Sequence, residues 1–404
     1  MTTSATHGRR VLIVGLGIAG IATALRLHRA GWEPVIIERA PERRKGGYFI
    51  ALFGTGQASA KRLGVLEAMG DRKHPQTKTY EVDRANRRRR GMTFADVPGQ
   101  PRMLLRGDVE NALFNALPER VEIRFSTVPT GMDPGGRGVD VTMTHTKTGE
   151  TVTERFDLVV GADGVRSTVR KLVFGPHEDF LYPMNYMIGA AILSEPVRGY
   201  HLHDGLVLAE VGRSAWVFPF ADHNPGLLFS YRVDDIDAQF RKTPIESLRR
   251  AYGPEPAGPV LRQLLDDFAA ADEYLFDSVN QVRMNCWHKG RVVLVGDAAW
   301  CLTLYSGMGA STGMAGSELL GNMLEKYPDD VGRALVAWEE KLRPFITSLL
   351  ADGLRMRALF TPSGEAQRIV RAAFVRLASS PVTRAIFRRL TVNDQLKMRD
   401  IVAQ

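Results

Sequence analysis

Gly15, Gly17 and Gly20 form a GxGxxG triplet between the apolar run Val11–Val14 and a helical pattern. Each glycine has a physical task. Gly15 permits a tight turn out of a strand, Gly17 lets a pyrophosphate approach the backbone, and Gly20 lets a helix pack close on a sheet. Ile18 and Ala19 open that helix, whose exposed N–H groups and dipole favour phosphates. A second apolar run, Val35–Ile37, ends on Glu38, 23 positions after Gly15. An acid there can hydrogen-bond an adenosine ribose and disfavour a 2′-phosphate. The combination points to a dinucleotide site on a βαβ unit.

Two distant segments choose between a nicotinamide and a flavin. In DLVVGADGVRSTVR (Asp157–Arg170) an apolar strand breaks at Gly161, and Asp163-Gly164 turn into a helix. In RVVLVGDAAWCLTLYSGMGASTG (Arg291–Gly313) a strand ends in Gly296-Asp297, and a loop with Gly307 and Gly309 leads into a small-residue helix, Ala310–Leu320. This second unit reads as a further cradle for polar cofactor atoms. Asp297 can accept hydrogen bonds from ribityl hydroxyls, and the N–H groups around Gly307–Ala310 can face an electron-poor ring.

In that order and at about that spacing, the three segments resemble the group A flavoprotein monooxygenases, the p-hydroxybenzoate hydroxylase-like family, over residues 10–350. The resemblance implies FAD. Gly15, Gly17 and Gly20 would hold its pyrophosphate, Glu38 the adenosine ribose, and Arg39 would lie beside the adenine. Asp163 and Gly164 match the family's DG motif, which contributes to FAD and NAD(P)H handling. Asp297 matches the aspartate at the ribityl chain, and Gly307, Met308 and Gly309 would lie near the isoalloxazine. Arg106 in LLRGDVENALFNAL matches an arginine that touches the cofactor. The stretch Gly46–Leu66 looks most like the tetracycline-inactivating members. The family's GDAAHxxxPxxGxG carries a histidine and a proline where this chain has Trp300 and Leu304, beside the flavin's reactive edge.

What the resemblance implies chemically is reduction of FAD by NADPH or NADH, capture of O₂ as a flavin C4a-hydroperoxide, and oxygen transfer to a small molecule. Its substrate would sit between the flavin and a strand-rich lobe. Trp216, Phe218, Phe220, Phe229, Tyr231 and Tyr305 are candidate walls for a bulky aromatic or polyketide-like ligand; as a plain structural alternative, WVFPF is simply core. Natural-product tailoring and antibiotic inactivation both fit. The departures at Trp300 and Leu304 motivate an alternative, a redox-neutral [4+2] cyclase with FAD as scaffold. No catalytic acid, base or nucleophile emerges. His201 and His203 share a strand face without further metal ligands, and GADGVRS is not a GxSxG elbow.

These motifs need elements to hold them. The expected fold class is α/β: a Rossmann-like FAD-binding lobe (residues 1–75, 100–180 and 278–340), a mixed β-sheet and helix substrate lobe (76–99 and 181–277), and C-terminal helices (341–404). Leu181–Val233 alternates apolar and polar residues with turns at Pro183, Glu195-Pro196, His203–Gly205 and Asn224–Gly226. Thr243–Tyr252 and Val260–Phe268 carry helical periodicity. Thr79–Phe94 reads as a hairpin with Arg87–Arg90 at a solvated tip. Gln367–Leu390 reads as an amphipathic pair packing Ile369, Ala372, Ala373, Leu377, Ile386 and Leu390.

Bulk properties limit the partners. A chain of 404 residues can bury a large core. The net charge of +8 is largely arginine, but no nucleic-acid module accompanies it, and anionic FAD and NADPH already favour positive potential. Cys286 and Cys301 form no CxxC or metal pattern, which suits a reducing cytoplasm. The polar start MTTSATHGRR is not a signal peptide, and the glycine-bearing Val11–Leu27 is not a membrane span.

Overall fold

The computed structural model describes residues 9–43, 46–93, 100–380 and 395–403. The strand Arg9–Val14 runs parallel to Leu158–Gly161 on one side and Trp32–Ile37 on the other. They belong to a six-stranded sheet ordered His288–Lys289, Val292–Leu294, Leu158–Gly161, Arg9–Val14, Trp32–Ile37, Glu122–Arg124. Only the His288–Lys289 edge is antiparallel. The central runs Val11–Val14, Leu158–Val160 and Val292–Leu294 are continuous Val, Ile and Leu because both faces of the sheet are covered there.

One face carries the helices Ile18–Arg29 and Gly309–Lys326, locked together by short polar contacts. Thr23 donates to Ser317 Oγ at 2.8 Å, Ser317 donates to the Ala19 carbonyl at 3.0 Å, and Arg26 reaches Asn322 and Glu325. Small residues permit the approach: a β-carbon on Gly313 would meet Ala19. A three-stranded antiparallel sheet, Thr127–Gly135, Gly138–His145 and Thr151–Phe156, adds Val139, Val141, Met143 and Phe156 to the same core. Glu154 ties it to the parallel sheet through Arg10 (2.7 Å) and Arg124 (2.5 Å).

A seven-stranded sheet is ordered Tyr274–Val282, Leu181–Ile192, Gly226–Arg232, Arg213–Phe218, Asp204–Glu210, Lys78–Val82, Arg88–Arg90. One face, with Met187, Leu208, Val217, Leu227, Phe229 and Tyr231, packs under the helices Pro244–Tyr252 and Gly258–Ala270. Thr243 and Glu246 form a capping box that starts the first of these. The opposite face carries Tyr186, Ile188 and Leu228 toward Tyr305. The helix Val331–Phe360 crosses to this face, and Glu365–Ser379 is held there by Arg371, which grips both oxygens of Glu81 at 2.7 and 2.9 Å.

Several local expectations change. Pro183 lies inside the strand Leu181–Ile192, at a register shift before Met187, because a bulge removes the need for its missing N–H. Arg88–Arg90 form an exposed edge strand against Lys78–Val82 rather than a hairpin tip, while Arg87 pairs with Asp83. The buried stripe of Glu365–Ser379 is Arg371, Val375, Ala378 and Ser379; Ile369, Ala372, Ala373 and Leu377 are exposed. Phe94, Ile386 and Leu390 lie outside the described residues, as does the start of the chain. No helix among the described residues is long and apolar enough to cross a membrane.

Candidate cofactor and substrate site

Strand ends and helix starts of the six-stranded sheet converge on one cradle. Gly15 turns at φ +106°, and its N–H donates to the Ile37 carbonyl at 2.8 Å. Gly17 caps the helix Ile18–Arg29 without a side chain, so the first-turn N–H groups of Ile18 and Ala19 face outward from an apolar, uncapped start. Glu38 closes the second strand onto this loop: its carboxylate accepts from the Leu16 N–H at 2.9 Å and the Ala40 N–H at 2.8 Å. Exposed Arg39 follows it. Arg106 starts the helix Arg106–Asn115, pairs with Glu110 at 2.5 Å and lies 3.7 Å from where a β-carbon on Gly17 would be.

The Gly-Asp loop faces them. Gly296, at φ +61°, turns the strand Val292–Leu294 into a short helix headed by Asp297. Asp297 lies across from Gly309, whose β-carbon would stand 3.9 Å from Oδ1. The Asp297 side chain is exposed in the open cradle. Gly307, left-handed at φ +67°, donates to Leu304, and the buried Met308 donates to Ser306. These two N–H groups are therefore taken. The free first-turn donors belong to Gly309 and Ala310, at the head of Gly309–Lys326.

Above the cradle, alternation along the seven-stranded sheet divides the candidate aromatic wall. Trp216 packs on Phe360 with centroids 4.6 Å apart, and Phe218 stacks on Phe49 at 4.2 Å. Tyr305 meets Tyr186 edge-on at 6.2 Å and Phe360 at 5.6 Å. Its hydroxyl bonds Ser230, which continues through Thr361 and Ser214 to the Trp216 indole N–H. Phe229 and Tyr231 are corrections. They point to the other face, against Tyr252 and, for Phe229, Phe268. Phe220 is wholly buried beside Phe49 and His223.

Residues 9–334 match the FAD binding domain family. The chain belongs to the group A FAD-dependent monooxygenases. It is 30% identical to an uncharacterised protein of Mycobacterium tuberculosis, over 91% of this chain and 99% of the other. It is 27% identical to a flavin-dependent monooxygenase from an unknown prokaryotic organism, over 83% and 86% of the two chains. The solved tetracycline destructase Tet(51) superposes with a TM-score of 0.78 over 97% of this chain and 99% of that one, at 23% identity.

The residues of this monooxygenase fit FAD. The glycine loop leaves space where any β-carbon would intrude, and the opposing donor set offers two uncapped helix starts, a carboxylate and an arginine. Two residues of the matched motifs have evident local roles. The Asp163 carboxylate accepts from Ser167 Oγ at 2.5 Å and from the Thr168 and Val169 N–H groups at 2.6 and 3.1 Å. It caps the helix Thr168–Val173, and Gly164 makes the turn at φ +82°. Trp300 points away from the cradle into a buried cluster with Trp287 and Trp338, at 4.8 and 5.9 Å. Its N–H reaches Thr312. Leu304 packs at the edge of the cluster around Tyr186.

Sequence reasoning passed over Tyr186, Arg357 and Phe360, which come to the site from a strand and a late helix with no motif to flag them. His203 stacks on His74 at 3.6 Å in a turn, and its ring nitrogen meets the Phe220 carbonyl. Cys286, His288 and Glu339 place possible ligand atoms within 4.8 Å of one another, but Glu339 is already bound by Arg343 and the Trp287 N–H.

Proposed function

We propose that this monooxygenase uses NADPH or NADH and O₂ to oxygenate a bulky aromatic or polyketide-like small molecule, in natural-product tailoring or antibiotic inactivation. The observation that carries the reading is the aromatic cluster of Trp216, Phe218, Tyr305 and Phe360, which joins the cradle's Gly-Asp loop through Tyr305. FAD, when bound, supplies electron transfer from the nicotinamide and activation of O₂. The chain supplies the rest. Gly15, Gly17, Gly20, Ile18 and Ala19 take the pyrophosphate, with Glu38 and Arg39 toward the adenosine. Asp297 orients the polar chain between the two rings. Gly309 and Ala310 present N–H groups to the ring itself, and Arg106, beside Gly17, adds positive charge toward the pyrophosphate. Flat aromatic walls orient a planar ligand and exclude water. The free thiols of Cys286 and Cys301 suit a reducing compartment such as the cytoplasm.

Anaerobic stopped-flow absorbance of the FAD-loaded enzyme with NADPH, then NADH, tests this. Bleaching of the oxidised flavin band, accelerated by a polycyclic ligand, is the expected result and identifies the donor. A flavin that stays oxidised with both donors across a ligand panel overturns it and favours redox-neutral cyclisation. The motive for that rival is reduced, since Trp300 lies in the core.

A further inference from the structure

Three buried polar atoms around the loop bearing Tyr305 lack protein partners: Thr303 Oγ1, the Tyr186 hydroxyl and Arg357 Nε. The Tyr186 hydroxyl belongs to a side chain only 2% exposed and has no hydrogen-bond partner. The Nε of Arg357 is likewise buried and unpaired. No hydrogen bond or ion pair engages the Arg357 guanidinium among the described residues; its recorded neighbour is the Tyr186 ring, 5.4 Å from Cζ. Leaving a buried donor unsatisfied costs about 1–3 kcal/mol, more for a charged group. The half-buried Arg357 guanidinium thus differs from the buried Arg371, which grips Glu81, and from the buried Arg170, whose Nε is also unpaired but whose other nitrogens reach two carbonyls.

The direction of Arg357 follows from its helix. Gly353 packs so closely on the Gly-Asp loop that a β-carbon there would stand 2.9 Å from the Leu302 carbonyl oxygen. Arg357 is one turn further along Val331–Phe360 and shares that face. It therefore points toward the loop bearing Tyr305 and toward the strand bearing Tyr186. The surroundings are apolar, with Met184, Ile188, Val279, Leu228 and Met356. Burial pushes both tyrosine hydroxyls up, while Arg357 pulls each back. Neutral hydroxyl donors beside an unpaired cation make a pole for an oxyanion, since Arg forms charge-assisted bonds to planar anionic oxygens.

We propose that Arg357 and Tyr186 form an anion-recognising pole at the substrate site, so that the accepted ligand is a planar molecule carrying an ionised oxygen, a carboxylate or an enolate. This rests on the monooxygenase reading only for the name "substrate"; the binding geometry stands apart from flavin reduction. Arg357 is a specificity-determining residue and Tyr186 its hydrogen-bonding companion.

Isothermal titration of the FAD-loaded enzyme with two matched pairs tests the proposal. One pair is 2-naphthoate and 2-naphthamide; the other is 2-hydroxy-1,4-naphthoquinone, ionised at neutral pH, and its methyl ether. The wild-type enzyme should bind the anion of at least one pair tenfold or more above its neutral partner, and the pair that discriminates names carboxylate or enolate. Arg357→Gln should abolish that preference, Arg357→Lys should keep part of it, and Tyr186→Phe should weaken only the anion. All variants should retain FAD and thermal stability. No preference in the wild type, or a preference that survives in Arg357→Gln, overturns the proposal. Failure of nicotinamide to reduce the flavin would be seen in the stopped-flow experiment and leaves these affinities unaffected.

Discussion

Gly20 lies directly against the carbonyl of Gly15, so close that a β-carbon at position 20 would overlap the oxygen. The obstacle is backbone held in a parallel sheet, and it cannot swing aside as a side chain would. Gly20→Ala must therefore push the helix Ile18–Arg29 off its strand and displace the N–H groups that face the pyrophosphate. The expected outcome is a protein purified largely without flavin, with FAD affinity reduced at least tenfold and a lower melting temperature. Fluorescence titration of the apoprotein with FAD and a thermal shift assay measure both. Wild-type affinity in this variant would remove the packing role assigned to Gly20.

Trp300 fills the space between Trp287 and Trp338 rather than facing the cofactor. Restoring the family's histidine by Trp300→His should leave a cavity and a poorly satisfied imidazole. Cutting a large aromatic side chain in a core costs about 3–5 kcal/mol for Trp→Ala, and His should recover only part of that. Denaturant unfolding should show a loss of about 2–4 kcal/mol on that scale, while flavin reduction in the remaining folded enzyme keeps its rate within a few fold. A large rate change with unaltered stability would place Trp300 at the chemistry instead.

Glu154 joins the antiparallel three-stranded sheet to the parallel sheet through Arg124 and Arg10. The hydrogen bond from Arg124, followed by that from Arg10, holds its carboxyl below the ordinary value. A depressed carboxyl stabilises the fold above the unfolded-state value and loses that contribution as pH falls through the folded-state value. Glu154→Gln should thus cost about 1 kcal/mol or less at neutral pH, because the pair is partly exposed. The gap to wild type should close at acid pH, once the wild-type carboxyl is protonated. Melting temperatures of both proteins from pH 7 down to the acid limit of folding give the answer; a gap that widens on acidification contradicts it.

Much of the cofactor lobe was legible because its glycines answer to geometry. Gly15 and Gly307 need positive φ, Gly20 needs close approach, and strands such as Val11–Val14 are apolar throughout because both sheet faces are covered. The substrate side was less legible for the same physical reason reversed. The seven-stranded sheet also has two buried faces, so alternation could not say that Phe229 looks to the helices while Trp216 packs on Phe360 from the other face. Asp163 read as a cofactor residue, while its local part, accepting from Ser167 and the two N–H groups beyond it, depends on the loop geometry and carries no sequence signal of its own. Arg357 was invisible because its meaning depends on a neighbour 171 positions earlier in the chain, Tyr186.

The parallel sheet gathers its strands from residues 9–14, 32–37, 122–124, 158–161 and 292–294, and the two halves of the cradle are Gly15–Gly20 and Gly307–Ala310. During synthesis, the ribosome must release three quarters of the polypeptide before the second half exists. A nascent chain therefore cannot capture flavin early to guide its own folding, and the first strands must wait for a partner made long after them. Long-range closure of this kind slows folding, and exposed strands in waiting invite aggregation. Flavin supply during expression should then act at the end of folding, as a trap for the finished scaffold rather than as its template.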